Sequence, residues 1–169
     1  MSAEPNLRIL IVEDEALIAL ELESLLQDDG HLPIGIAATA REAMALGELE
    51  PDLALVDVHL ADGPTGIDVA RRLRRNGRTV VLFMTANAKR IPEDFVGACG
   101  VIAKPYTERG VRNAIRFVAR CLAAGQVGQP PNSLNLSPDS ANCFASGEGR
   151  TANGFETEAH SANDIRGQV

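Results

Sequence analysis

The chain has 169 residues, 45% of them hydrophobic, and a formal net charge of −7. That is enough for one domain with a proper core and too little for two ordinary ones. The acidic balance argues against nucleic acid as the main partner, and no apolar run is long enough to span a bilayer.

The opening, MSAEPNL, has neither the basic nor the apolar region of a secretory signal. Residues 7–12 then form a nearly continuous apolar run, the pattern of a strand covered on both faces. Over 15–27, Leu17, Leu20, Leu22, Leu25 and Leu26 recur near helical spacing, with Glu21 and Glu23 turned outward. A second strand is expected over 32–38. Thr39 follows as a helix N-cap with Glu42 in capping-box spacing, and Pro51 stops the chain beyond about Leu49. The third strand, 53–57, ends in a turn-rich loop, and a helix runs from about Ile67 to Arg75, closed by Asn76-Gly77. A fourth strand over 79–84 leads into an irregular stretch with only a short helix from Pro92. The fifth strand is 100–103, and a last helix covers Thr107 to about Ala123.

Beyond Gly125, Gly, Ser, Asn, Pro and Thr dominate, so residues 125–169 are expected to be a disordered tail. Residues 1–6 form a short N-terminal extension. Cys99, Cys121 and Cys143 are odd in number and lack C-x-x-C spacing, so no disulfide framework or zinc site is expected and a cytoplasmic protein fits best.

Four short motifs fall where these strands end: Glu13-Asp14, Asp57, Thr85 and Lys104-Pro105. In an open parallel sheet, chemistry collects beyond the carboxyl ends of the strands. Adjacent carboxylates there repel one another unless a cation sits among them, and hard oxygen ligands suit Mg²⁺. Asp57 is then a third metal-linked carboxylate and a nucleophile toward phosphorus. The Thr85 hydroxyl can donate to a phosphoryl oxygen, and the small Ala86 beside it leaves room. Lys104, after an apolar strand, needs negative charge nearby. Singly, each has a plainer reading: a helix start, a turn cap, an N-cap, a surface lysine. Their order on four strand ends is what carries information.

The segments ILIVEDE, LALVDVHL, VVLFMTAN and GVIAKPY, with their spacing, resemble the response-regulator receiver domain of two-component signalling over residues 7 to about 123. The resemblance implies an α/β fold, a five-stranded parallel sheet of order 2-1-3-4-5 with helices on both faces, and a receiver domain over 7–124. It implies that Asp57 accepts a phosphoryl group from a histidine kinase or histidine phosphotransfer protein. Mg²⁺ would be held by Glu13, Asp14, Asp57 and the backbone carbonyl of His59, and Thr85, Ala86 and Lys104 would bind the phosphoryl group. A cis Lys104-Pro105 bond is also implied. The position three residues before the lysine, usually aromatic in the family, is Val101, while Tyr106 follows the proline. The run Phe83-Met84-Thr85-Ala86 resembles the stand-alone FATGUY receivers.

Such a protein is a phosphoacceptor rather than an enzyme, acting through a downstream protein partner, with neither DNA nor membrane as target. The alternative is a receiver-fold docking module that works without phosphorylation. A haloacid-dehalogenase-type hydrolase wants a second aspartate where His59 stands. A flavodoxin-like nucleotide binder wants an anion cradle where Glu13-Asp14-Glu15 stands. The cluster Arg71, Arg72, Arg74, Arg75 and Arg78 reads as a solvated helix end, or else a kinase-docking patch. His31, His59 and His160 lack metal-ligand spacing, and His59, two residues past Asp57, is placed to shield the phosphoryl group or admit water to it.

Overall fold

Strand β1 (Arg8–Val12) buries every side chain after its first, and β3 (Leu53–Val56) and β4 (Val80–Thr85) bury all of theirs. Strands this apolar need cover on both faces. In the computed structural model, which describes residues 4–145, they sit at the centre of a sheet of order β2-β1-β3-β4-β5-β6. Strands β2 (Leu32–Ala37) and β5 (Gly100–Ala103) flank them, and all four pairings among β1–β5 are parallel. This is the expected five-stranded order. To it is added β6 (Asn135–Leu136), antiparallel to β5.

Helices α1 (Ala16–Asp28) and α4 (Glu108–Ala124) pack on one face, and α2 (Ala40–Gly47) and α3 (Gly66–Leu73) on the other. Helix α1 buries Ala19, Leu22, Leu25 and Leu26, whereas Leu17 and Leu20 are 78% and 54% exposed. The five leucines therefore do not form one stripe. Ala19, Leu22 and Leu26 share the inward face at i, i+3 and i+7, and Leu17 lies off it. Thr39 caps α2 by accepting from Glu42 N at 3.2 Å, and the Glu42 carboxylate reaches back to Ala38 N at 2.7 Å, one residue earlier than the usual capping box. Between β4 and β5 there is no α-helix, only 3₁₀ turns at Ala88–Arg90 and Phe95–Gly97. Phe95 and Val96 take positive φ (53° and 47°), which costs on the order of 1 kcal/mol or more each. Both pack against the α2–α3 side of the core.

The expected disordered tail begins too early. Gly125 ends α4 in the left-handed conformation, but the chain then folds back over the edge of β5. Leu134, Cys143 and Phe144 are buried in the α1–α4 core, and α5 (Ser140–Phe144) sets the Phe144 ring edge-on to Phe117 at 6.3 Å. Cys143 is disulfide-bonded to Cys99, with Cα atoms 5.9 Å apart. The expectation of no disulfide is corrected accordingly. Local spacing carries no trace of a pairing between cysteines 44 positions apart, which only the β5–β6 alignment brings together. The rest of the expected tail, with His160, lies outside the described residues. No helix among the described residues is long and apolar enough to cross a membrane.

His31 is buried where α1 turns into β2, and its Nδ1 accepts from Leu7 N at 3.2 Å. Burial lowers its pKa from 6.5, with Asp29 and Glu4 opposing. A group depressed in the folded state contributes stability above its unfolded value and loses it as pH falls through the folded one. The unfolding free energy should therefore decline as pH drops below 6.5, and His31→Asn should flatten that decline. Urea midpoints on either side of this pH test it; equal slopes for both proteins would contradict it.

Candidate functional site

The strand ends are tied in register, which is what brings the site together. Val12 pairs with Val56 across β1–β3, and Asp57 N donates to Val12 O at 2.9 Å, so Glu13 and Asp57 leave the sheet side by side. On the other side, Lys104 N donates to Thr85 O at 2.9 Å. The Lys104 ammonium reaches across, donating to Glu13 Oε2 at 2.7 Å and to Asp57 Oδ2 at 2.9 Å. The Lys104–Pro105 peptide is cis.

Each carboxylate is further fixed. Glu13 Oε1 accepts from Glu15 N at 3.0 Å, and Asp57 Oδ1 accepts from His59 N at 3.2 Å. The Glu13 side chain is only 3% exposed and that of Asp57 13%. Burial holds the Glu13 carboxyl above its ordinary pKa, with the Lys104 hydrogen bond opposing. For Lys104, burial alone would lower the pKa; hydrogen bonds to Glu13 and Asp57 outweigh it and leave the ammonium raised. These three side chains form one hydrogen-bonded unit.

Asp14 is exposed and joins the unit from the rim. Carboxylate oxygens of Glu13, Asp14 and Asp57 lie within 4.8 Å of one another. With these ionised, three carboxylates face one ammonium, a surplus of two negative charges. An all-oxygen donor set with that surplus suits a hard divalent cation.

Thr85 is buried at the end of β4, its Oγ1 accepting from Asn87 N at 3.1 Å, and Ala86 next to it is exposed. Its hydroxyl hydrogen is not used in that bond and is available to a ligand oxygen. Val101 is buried in the core beneath, and Tyr106 is half-buried against the α1–α4 side, where burial raises its phenol pKa. Within the arginine cluster, Arg71 pairs with Asp68, Arg78 with Glu50, and Arg74 donates to Thr79 O. These local pairings favour the solvated-face reading.

Two site residues escaped the sequence reading. Arg90, in the 3₁₀ turn after β4, sets Nη1 3.0 Å from Nε2 of His59, whose backbone N donates to Asp57. Gly66 opens α3 directly under the phosphoacceptor candidate: a Cβ there would lie 1.9 Å from Asp57 O. A glycine in the turn-rich ADGPTG run reads as a loop residue, and nothing local marks it as a packing contact. Gly66→Ala should displace the Asp57 backbone, cost about 2–3 kcal/mol of stability and weaken divalent-ion binding. Urea melts and magnesium titration check this; wild-type values in both would contradict the contact.

The model of the response regulator receiver domain matches residues 9–116. The chain belongs to the response-regulator receiver family. This receiver is 37% identical over 122 residues to the phyllosphere-induced regulator PhyR of Methylorubrum extorquens, a match covering 68% of this chain and 44% of that protein. Among solved structures it resembles the Erythrobacter litoralis PhyR response-regulator REC domain, with a TM-score of 0.61 and 34% identity over 69% of this chain and 92% of that one. The CheY-like receiver protein of Methanospirillum hungatei is similar too, with a TM-score of 0.62 and 30% identity over 69% of this chain and 95% of that one. The receiver spans half or less of the curated relatives it matches first.

Proposed function

We propose that this receiver takes a phosphoryl group onto Asp57 from a phosphohistidine on a kinase or phosphotransfer protein, and that the phosphorylated state is read by a protein partner. The observation that carries this is the Lys104 bridge between Glu13 and Asp57, with Asp14 completing a three-carboxylate cluster beside it. Mg²⁺ is the cation proposed, held by Glu13, Asp14, Asp57 and the His59 carbonyl. It supplies charge neutralisation between the incoming phosphoryl oxygens and the carboxylates.

In the transfer, a carboxylate oxygen of Asp57 attacks phosphorus, an O–P bond forms and the donor's N–P bond breaks. The released imidazole takes a proton from solvent. Lys104 and the Thr85 hydroxyl then hold phosphoryl oxygens, with Ala86 leaving space for them. Both Asp57 oxygens are already fixed by Lys104 and His59 N, so the nucleophile is oriented before the donor arrives. With their side chains in contact, His59 and Arg90 would tune water access to the acyl phosphate, and so its lifetime.

Incubation with Mg²⁺ and a panel of labelled, autophosphorylated histidine kinases tests the proposal. Label should pass to the wild-type protein and not to Asp57→Asn. No transfer from any donor, or transfer to both proteins alike, would overturn it.

A further inference from the structure

We propose that the Cys99–Cys143 pair is a redox-modifiable latch. Oxidised, it holds residues 134–144 as a strap over the edge of β5 and the neighbouring face of α4. Reduced, it lets that strap leave. This inference does not depend on phosphoryl transfer at Asp57, and its failure would leave that reading untouched.

Several independent features point to a latch rather than a core staple. The strap meets the sheet through only two residue pairs, Gly100 with Leu136 and Val101 with Asn135, plus Ser137 N donating to Cys99 O at 3.0 Å. The fit there is close: a Cβ on Gly100 would lie 2.7 Å from Asn135 O. Strand β6 has two residues and α5 only five, too short to hold structure alone. Apart from the disulfide, the strap is held by the side chains of Leu134, Leu136 and Phe144, the Phe117–Phe144 ring contact and the buried Ser137 and Ser140. None of the four parallel pairings that build the rest of the sheet involves it. Cys99 sits directly before β5, its N donating to Val81 O, whereas Cys143 lies in the five-residue α5. One partner is tied into the parallel sheet and the other is in a short segment outside it.

Cys121 supplies an internal contrast. It lies in the same core cluster and remains a thiol, and burial raises its pKa, so little thiolate is available to exchange with the disulfide. The reductant proposed is a dithiol. One of its thiolates attacks Cys143 Sγ, the sulfur of the more exposed residue of the pair (6% against 0%), forming a mixed disulfide and expelling the Cys99 thiolate. The second reductant thiolate then attacks its own half of that bond and expels Cys143. Both protein thiolates take protons, and the reductant leaves as its cyclic disulfide, having given two electrons. Release of the strap uncovers the Phe117 ring and the main-chain edge of β5, a row of unpaired donors and acceptors.

The test is hydrogen exchange on the full chain, air-oxidised and then treated with dithiothreitol. Thiol counting in denaturant should find one reactive cysteine before reduction and three after. Amide exchange over 134–144 should rise by about 100-fold on reduction, while β1, β3 and β4 keep their protection. The variant Cys143→Ser should reproduce the reduced pattern without dithiothreitol, and Cys121→Ser should behave as wild type. A rise above about threefold confined to the strap upholds the latch. A smaller rise, loss of protection across the parallel strands as well, or three reactive thiols before reduction would each overturn it.

Discussion

Replacing Lys104 with methionine is expected to destabilise the magnesium-free protein by about 3 kcal/mol. Methionine keeps most of the side-chain stem and removes only the ammonium. Glu13 and Asp57 would then be two neighbouring carboxylates, 3% and 13% exposed, without their shared counter-ion. The Glu13 carboxyl, already raised by burial, would rise further. Saturating Mg²⁺ should restore much of the loss, since a cation bound only to the folded state stabilises it by mass action. Phosphoryl capture should nevertheless fall by about 100-fold, because a donor positioned for the developing charge is gone. Urea denaturation with and without Mg²⁺ separates these effects. A variant as stable as wild type without metal would show that Lys104 does not balance the two acids.

The second large effect falls on Asp14. Losing a partner of a ligand typically weakens a metal site 10–100-fold, so if Asp14 ligates Mg²⁺ as proposed, Asp14→Asn should cost at least about 100-fold in Mg²⁺ affinity. Phosphoryl uptake at sub-saturating Mg²⁺ should fall with it. The sign of the stability change is the more discriminating readout. Asp14 belongs to a cluster with two more acids than balancing ammonium groups, so without metal the substitution should stabilise the fold rather than destabilise it. Isothermal titration and a metal-free melt measure both. A destabilised variant with normal Mg²⁺ affinity would mean that Asp14 has a structural task outside the cation site.

The carboxylate–lysine cluster was legible because buried parallel strands read as apolar runs, and a polar residue straight after such a run has to emerge at the sheet edge. Glu13, Asp57 and Lys104 follow runs of this kind, and their side chains meet in the structure, while Thr85 ends β4 next to Lys104 through a backbone bond. The strap was not legible. Its Leu134, Leu136, Cys143 and Phe144 are too sparse among Gly, Ser, Asn and Pro to register as a pattern, yet they suffice to cover one strand edge. The Cys99–Cys143 bond is likewise a consequence of tertiary alignment. Gly66 and Arg90 were missed for a related reason: one matters through a backbone contact with Asp57 and the other through a side-chain approach to His59, neither of which has a local signature. Leu17 and Leu20 show the limit of periodicity, since helical spacing admits more leucines than one face can bury.

The most direct measurement is intact-mass and peptide-level analysis after incubation with a small acyl-phosphate donor and Mg²⁺, which removes any dependence on finding the cognate kinase. A single added phosphoryl group is expected, mapped to Asp57, lost when Mg²⁺ is chelated and absent from Asp57→Asn. A phosphoryl group on another residue, or one that forms equally well without a divalent cation, would contradict it.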